Sequence, residues 1–328
     1  MIDKNKLKYL YIQIMMGFYM IKKNINYNLA NDVDLNDIEC FFKLTEKNKL
    51  EKIFDLSEDI NMKNFGKLSY ECNIYYPTVY QIEDNCPTCG YRTKESRRKY
   101  TEDFIIKSIE HKLENIENYP ISGINCYNKD ISGIRELMFI LNALDKKNNL
   151  KINVRVSNFE HVKHLKNYNI NSIIIQSTKN KPHAFNKNTD ENIAKLEEET
   201  IKYIKENMNL KVTYEFLINY GESYEDILNK ILEIKKYNAD YIEIVGYDPF
   251  IDSPEEYNPQ YTKEYILKII ALLRITFPNK ELKIQYATNG NNFLDEYKKI
   301  GINTITGIYT KNLNSNLENT HILEINKN

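Results

Sequence analysis

The stretch "LKVTYEFLINYGESYEDILNKILEIKKYNADYIEIVGYDPF", residues 210–250, carries the reading of the fold. Its first nine residues are rich in β-branched and aromatic side chains, as a strand is. A turn with Gly221 follows, and Ser223 with Asp226 three residues on has the spacing of a helix N-terminal cap. Apolar residues then recur at helical spacing over 223–238, and "DYIEIVGY" (240–247) is again a strand. Strand, helix and strand in so short a run predict a parallel crossover unit.

The alternation continues in both directions. Strand candidates precede it at 70–80 ("YECNIYYPTVY"), 120–126, 151–157 and 171–177, and follow it at 282–288 and 303–309. Helical patterns lie between them at 101–117, 131–146, 158–167, 190–207, 261–276 and 291–299. Eight strands alternating with helices is the count of an α/β fold of the (β/α)8 TIM-barrel type. A doubly wound open sheet has the same alternation, because a count does not show closure. No glycine-rich phosphate fingerprint follows the first strand, which speaks against a nucleotide-binding Rossmann domain. Residues 1–66 read as a helical extension ahead of a barrel over 67–328.

Composition bounds the rest. The 328 residues are 42% hydrophobic and 28% charged with a net charge of −1, which points to neither a nucleic-acid nor a membrane-surface binder. The apolar run at 9–21, "YLYIQIMMGFYMI", lacks a small-residue cleavage site and is too short for a bilayer core of ~30 Å. It reads as a packed helix. Five cysteines in so long a chain are no disulfide framework, and a reducing cytoplasmic location is expected.

Two of those cysteines, Cys86 and Cys89, stand close together in "VYQIEDNCPTCGYRTKES" (79–96), directly after the first strand candidate. Chemistry in a barrel sits at the C-terminal ends of the strands, so this segment is expected at the active mouth. A bare C-x2-C is compatible with half a zinc site, an iron–sulfur site or an incidental pair. There is no second C-x2-C, and the five histidines fall in helical or surface-like segments.

The stretch "NCPTCGYR" resembles the cluster loop of radical S-adenosylmethionine enzymes of the biotin synthase type. It looks closest to the branch of hydrogenase maturases, methylornithine synthase and [Fe]-hydrogenase cofactor maturases. "KIFDLSEDINMKNFGK" resembles the lead-in helix of that family, "STKNKPHAF" the loop after its fourth strand and "LINYGESYEDIL" the turn after its fifth. "GYDPFIDSP", "ALLRITFPNKELKIQYATNG" and "GINTITGIY" resemble the later strand ends, in the family's order. The resemblance implies a 4Fe–4S cluster held by three thiolates, with one iron open to S-adenosylmethionine. It further implies a small-molecule substrate attacked by a 5′-deoxyadenosyl radical, and a reductant such as ferredoxin or flavodoxin. Cofactor biosynthesis, including [Fe]-hydrogenase maturation, in an anaerobic archaeal cytoplasm is the setting it suggests.

The chain departs from the family pattern at the first thiolate. The spacing C-x3-C-x2-C puts it at Ile82, and C-x5-C-x2-C puts it at Tyr80. With Cys86 and Cys89 as two metal ligands, Cys126 at the end of the second strand is the candidate third, ahead of Cys72. Positions matching the family's cofactor contacts are Tyr91, Asn128, Gln176 and Thr178. These departures leave a second reading open: a degenerate barrel that serves as a ligand-binding or scaffold partner in a maturation complex.

Side chains alternate along a strand, and helices cover the outside of a barrel. The apolar sets, such as Ile152, Val154 and Val156, are therefore expected to face out. Arg155, Glu215, Glu243 and Gln285 are expected to line the interior. Buried charges must pair with one another or bind a polar ligand, so Arg155, Glu215 and Glu243 are the candidate catalytic residues.

Overall fold

The computed structural model describes residues 33–65, 68–75, 121–127, 134–144, 150–155, 159–176, 190–247, 261–285 and 293–308, with four single positions between 103 and 110. The expected helix at 9–21, most of the helical segment 101–117 and the cysteine stretch 79–96 lie outside the described residues.

Eight strands form one closed barrel in the order of the sequence. They are β1 (Ser69–Tyr75), β2 (Ile121–Tyr127), β3 (Lys151–Arg155), β4 (Ser172–Gln176), β5 (Lys211–Ile218), β6 (Tyr241–Gly246), β7 (Glu281–Gln285) and β8 (Thr304–Ile308). Each pairs in parallel with the next, and β8 pairs with β1 through Ser69–Thr304 and Tyr70–Ile305. That last pairing closes the sheet and excludes the open doubly wound alternative. Around it lie α3 (Ile134–Leu144), α4 (Phe159–His164), α5 (Asp190–Asn207), α6 (Tyr224–Lys236), α7 (Lys263–Thr276) and α8 (Leu294–Ile300). Ahead of the barrel stand α1 (Leu35–Phe42) and α2 (Lys47–Asn64).

Local sequence explains the helix starts. Ser223 and Asp226 form the expected capping box of α6: Asp226 N donates to Ser223 Oγ (3.2 Å) and Ser223 N to Asp226 Oδ2 (2.7 Å). Asp34 and Asp37 do the same for α1, and Thr262 caps α7. Gly301 follows α8 at a tight approach: a Cβ there would lie 3.1 Å from Cβ of Arg274.

The outer face of the barrel is apolar. Ile124, Val154, Ile173, Val212, Phe216 and Ile244 are fully buried in one core with Ile38, Leu56, Ile140, Ile231 and Ile270 from the helices. The N-terminal helices belong to this layer, with α1 packed on α6 and α2 on α7 and α8. Polar contacts tie them down: Ser57 Oγ donates to Ile300 O (2.5 Å), and Lys268 Nζ to Leu44 O (2.8 Å).

At the C-terminal end of β5, Asn219 sits at φ 74°, a left-handed conformation that costs a non-glycine residue about 1–2 kcal/mol. Its side chain repays this by joining three elements. Nδ2 donates to Tyr247 O after β6 (2.8 Å), and Oδ1 accepts from Tyr261 N before α7 (2.7 Å). Asn219→Ala keeps the strain and loses both bonds, at an expected cost of about 2–3 kcal/mol in urea unfolding. Asn219→Gly relieves the strain and is expected to cost less, so the order Gly above Ala is the check.

Candidate functional site in the barrel lumen

Strand alternation sends the residues between the apolar set toward the barrel axis, and most of them are polar, Ile174 being a buried exception. Barrels of this type usually fill that space with branched aliphatic side chains. Here a belt of hydrogen bonds crosses five strands. Asn125 Nδ2 donates to Asn73 Oδ1 (2.9 Å), and Asn153 Nδ2 to Asn125 Oδ1 (2.8 Å). Ser172 Oγ then meets both Asn153 Oδ1 and Thr213 Oγ1 at 2.8 Å. All five residues are buried, so the belt meets the rule that interior polar groups are paired.

Charged side chains stand beside this belt. Lys283 on β7 donates to both carboxylate oxygens of Glu71 on β1, at 2.7 and 2.9 Å. Its ammonium also lies 4.6 Å from the ring centroid of Tyr241, which is itself bonded to Lys211. Arg155, the last residue of β3, forms an ion pair with Glu215 on β5. Glu243 stands opposite Glu215 in the β5–β6 register and opposite Lys283 in the β6–β7 register. Its Oε1 accepts from Thr306 Oγ1 on β8 (2.6 Å).

Three carboxylates thus share this part of the lumen with two cations. Burial, and then the neighbouring Glu215 carboxylate, push the Glu243 carboxyl from its ordinary 4.5 up to about 7, against the Thr306 bond and Lys283. A carboxyl that binds its proton more tightly in the folded state stabilises at low pH, and that contribution is lost as pH rises from about 4.5 through about 7. Glu243→Gln is expected to remove this loss, so its unfolding free energy should fall less than that of the parent between those pH values. Urea titrations at several pH values check it.

Arg155, Glu215 and Glu243, expected from the sequence to face inward, are therefore brought together. Gln285 ends β7 with partial exposure, and Gln176 pairs in register with Glu215. Tyr91, Asn128, Thr178, Cys86 and Cys89 lie outside the described residues. Cys126, the candidate third ligand, instead lies on the outer face of β2. Its neighbour Asn125 points to the axis, and Cys126 is buried in the core between sheet and helices, as is Cys72 on β1. Among the described residues, no group of three His, Cys, Asp or Glu side chains is placed to hold a metal ion.

Glu71, Asn73, Asn125, Lys283 and Thr306 did not stand out in the sequence reading. The signal was present all the same: "ECN", "INC", "LKI" and "TIT" each alternate polar with apolar, as "VRV" does.

Among the described residues, no helix is long and apolar enough to cross a membrane. No protein-family model matches the chain. A protein of Methanocaldococcus jannaschii described as uncharacterized is 24% identical over 290 residues, covering 85% of this chain and 76% of that protein. The crystal structure of a methylornithine synthase (PylB) superposes with TM-score 0.69 at 16% identity, over 92% of this chain and 88% of that one. HydG, a maturase of the [FeFe]-hydrogenase, gives 0.69 at 15% identity over 93% and 71%. HydG from Carboxydothermus hydrogenoformans gives 0.65 at 13% identity over 92% and 76%. The likeness is one of fold, and it falls on the same kinds of protein that the cysteine stretch resembles.

Proposed function

We propose that this chain is a radical S-adenosylmethionine-type enzyme acting on a small polar molecule in cofactor biosynthesis or rearrangement chemistry, with [Fe]-hydrogenase cofactor maturation as the specific setting. The observation that carries the proposal is a conjunction. A C-x2-C segment connects β1 to β2 in a closed barrel whose interior is hydrogen-bonding and charged. The likeness in fold to a methylornithine synthase and to hydrogenase maturases supports it. In this reading Cys86 and Cys89 hold a 4Fe–4S cluster, and Tyr91, Asn128, Gln176 and Thr178 contact S-adenosylmethionine. Bound there, the cluster supplies the electron that cleaves S-adenosylmethionine into a hydrogen-abstracting fragment. The chain's own part is to orient the substrate against Arg155, Glu215 and Glu243 and to keep it from bulk water.

Anaerobic reconstitution is the test. The parent chain is expected to take up about four irons and to yield 5′-deoxyadenosine with S-adenosylmethionine and a strong reductant. Cys86→Ser and Cys89→Ser are each expected to lose the iron. A reconstituted chain without cluster absorbance overturns the reading.

One observation favours a second reading, the catalytically degenerate barrel as a binding or scaffold partner. Cys72 and Cys126 both lie on the outer face, and the family's first-thiolate positions hold Ile82 and Tyr80. A zinc ion on Cys86 and Cys89, or two titratable thiols after reconstitution, selects it.

A further inference from the structure

Two tyrosines at the start of α7 bring their hydroxyls to one carboxylate. Tyr265 Oη donates to Glu222 Oε1 (2.7 Å), and Tyr261 Oη donates to Glu222 Oε2 (3.1 Å). Each oxygen also accepts a backbone N–H, from Asn219 at 3.2 Å and from Tyr220 at 3.1 Å. The two phenol rings lie 4.1 Å apart. On one side the pair is joined to the barrel mouth. Glu222 and Asn219 belong to the turn that ends β5, and Asn219 also holds Tyr261 N and the carbonyl of Tyr247 after β6. On the other side a run of rings leads outward. Tyr265 meets Phe42 at 5.2 Å, and Phe42 stacks on Tyr224 at 5.6 Å, where α1 meets α6 and both rings are half-buried.

This arrangement suits the loss of one electron. A phenol that gives up an electron becomes a strong acid, so the loss is easy only where a base already accepts its proton. Glu222 stands in that position for both phenols. Burial and the same carboxylate hold both hydroxyls protonated well above the ordinary tyrosine range, so each keeps its proton until an electron leaves. The chain has 26 tyrosines and no tryptophan, so an electron vacancy on an aromatic side chain must rest on tyrosine.

We propose that Tyr261 and Tyr265 form a redox-active pair that drains a sulfur- or oxygen-centred radical arising at the barrel mouth. This rests on the proposed function only in expecting radicals there. The thiyl or peroxyl radical takes one electron and becomes a thiolate or a peroxide anion. The oxidised phenol passes its proton to Glu222 and remains as a neutral phenoxyl. Through the ring of Phe42 the vacancy moves to Tyr224, which releases its proton to solvent while Glu222 returns the first proton to the pair. A soluble thiolate then supplies the electron to Tyr224, solvent restores its proton, and two thiyl products combine as a disulfide.

The full-length chain without iron tests this directly. It is oxidised by flash photolysis with a ruthenium(III) polypyridyl complex, and neutral tyrosyl radical is followed by absorbance and electron paramagnetic resonance. The parent is expected to give a long-lived radical hydrogen-bonded at its oxygen. Tyr265→Phe keeps the ring and is expected to cut the yield several-fold. Glu222→Gln cannot take the proton and is expected to do the same. Tyr168→Phe, whose hydroxyl bonds only Asn142 on α3, is expected to change nothing. Tyr261→Phe leaves one phenol on the carboxylate and is expected to shorten the radical's life several-fold. Urea midpoints of each variant separate these effects from loss of the fold.

Equal radical yields in parent, Tyr265→Phe and Glu222→Gln overturn the proposal, as does a loss in Tyr168→Phe as large as that in Tyr265→Phe. In a second arm, reconstituted parent and Tyr265→Phe turn over S-adenosylmethionine under traces of oxygen, and the variant is expected to stop several-fold sooner. Equal lifetimes there also count against the pair. Iron content is read separately, so failure to form a cluster counts against the proposed function and leaves the flash experiment to decide.

Discussion

Arg274→Met is expected to lower the unfolding free energy by about 3–5 kcal/mol. Arg274 is completely buried where α7 meets the N-terminal ends of β7 and β8. Nη1 donates to Lys280 O (2.7 Å) and Pro278 O (3.3 Å), and Nη2 to Gly301 O (2.7 Å) and Asn303 Oδ1 (2.5 Å). The ring of Phe65, at the end of α2, lies 4.4 Å from the guanidinium carbon. Burial lowers the group's pKa to about 9, against the pull of Glu281, so the site holds a cation mainly on carbonyl dipoles. Methionine fills much of the volume but takes the donor from Lys280 O and Gly301 O, while Pro278 O keeps Asn64 Nδ2 and Asn303 Oδ1 keeps Leu282 N. Arg274→Lys offers a point charge that cannot span the same fork, and is expected to recover less than half of the loss. Urea midpoints of the three chains measure this, and a loss below 1 kcal/mol for the methionine variant would refute it.

Lys283→Met is expected to cost a similar 3–5 kcal/mol, because it strands the Glu71 carboxylate inside the barrel. Burial alone would pull the Lys283 pKa down, yet the Glu71 carboxylate outweighs it and leaves the ammonium above its usual value. The ammonium thus keeps its charge in the fold. Removing one partner is costly; removing both need not be. The double substitution Lys283→Met with Glu71→Leu is expected to restore most of the stability, since an apolar pair replaces an expensive ionic one. A double-mutant cycle by urea unfolding decides the matter, and additive losses would show that the two side chains do not act as a unit.

Much of the fold was legible because the signals were local. Ser223 and Asp226 marked a helix start, and alternation in "KINVRVS" and "LKVTYEFLI" separated Arg155 and Glu215 from their apolar neighbours. Closure was not legible, because it rests on β8 meeting β1, a pairing of residues more than 230 positions apart. The Glu71–Lys283 pair was hidden for the same reason, being 212 residues apart in sequence. Cys126 shows a different limit. Its position at a strand end suggested the mouth, whereas the parity it shares with Ile124 decided which face it took. Arg274 sat inside an otherwise helical apolar pattern, and nothing in "ALLRIT" distinguishes a buried cation from a solvated one.

The belt from Asn73 to Thr213 has an evolutionary consequence. Asn125 and Asn153 each donate to one neighbouring strand and accept from the other, so the worth of any one residue depends on the identity of the next. Drift at these positions must then proceed by matched exchanges, with single changes purged before a compensating partner arises. Five positions scattered over 140 residues are expected to behave as one heritable character. Shuffling the first half of this barrel with a distant barrel would break that character even where every strand is kept.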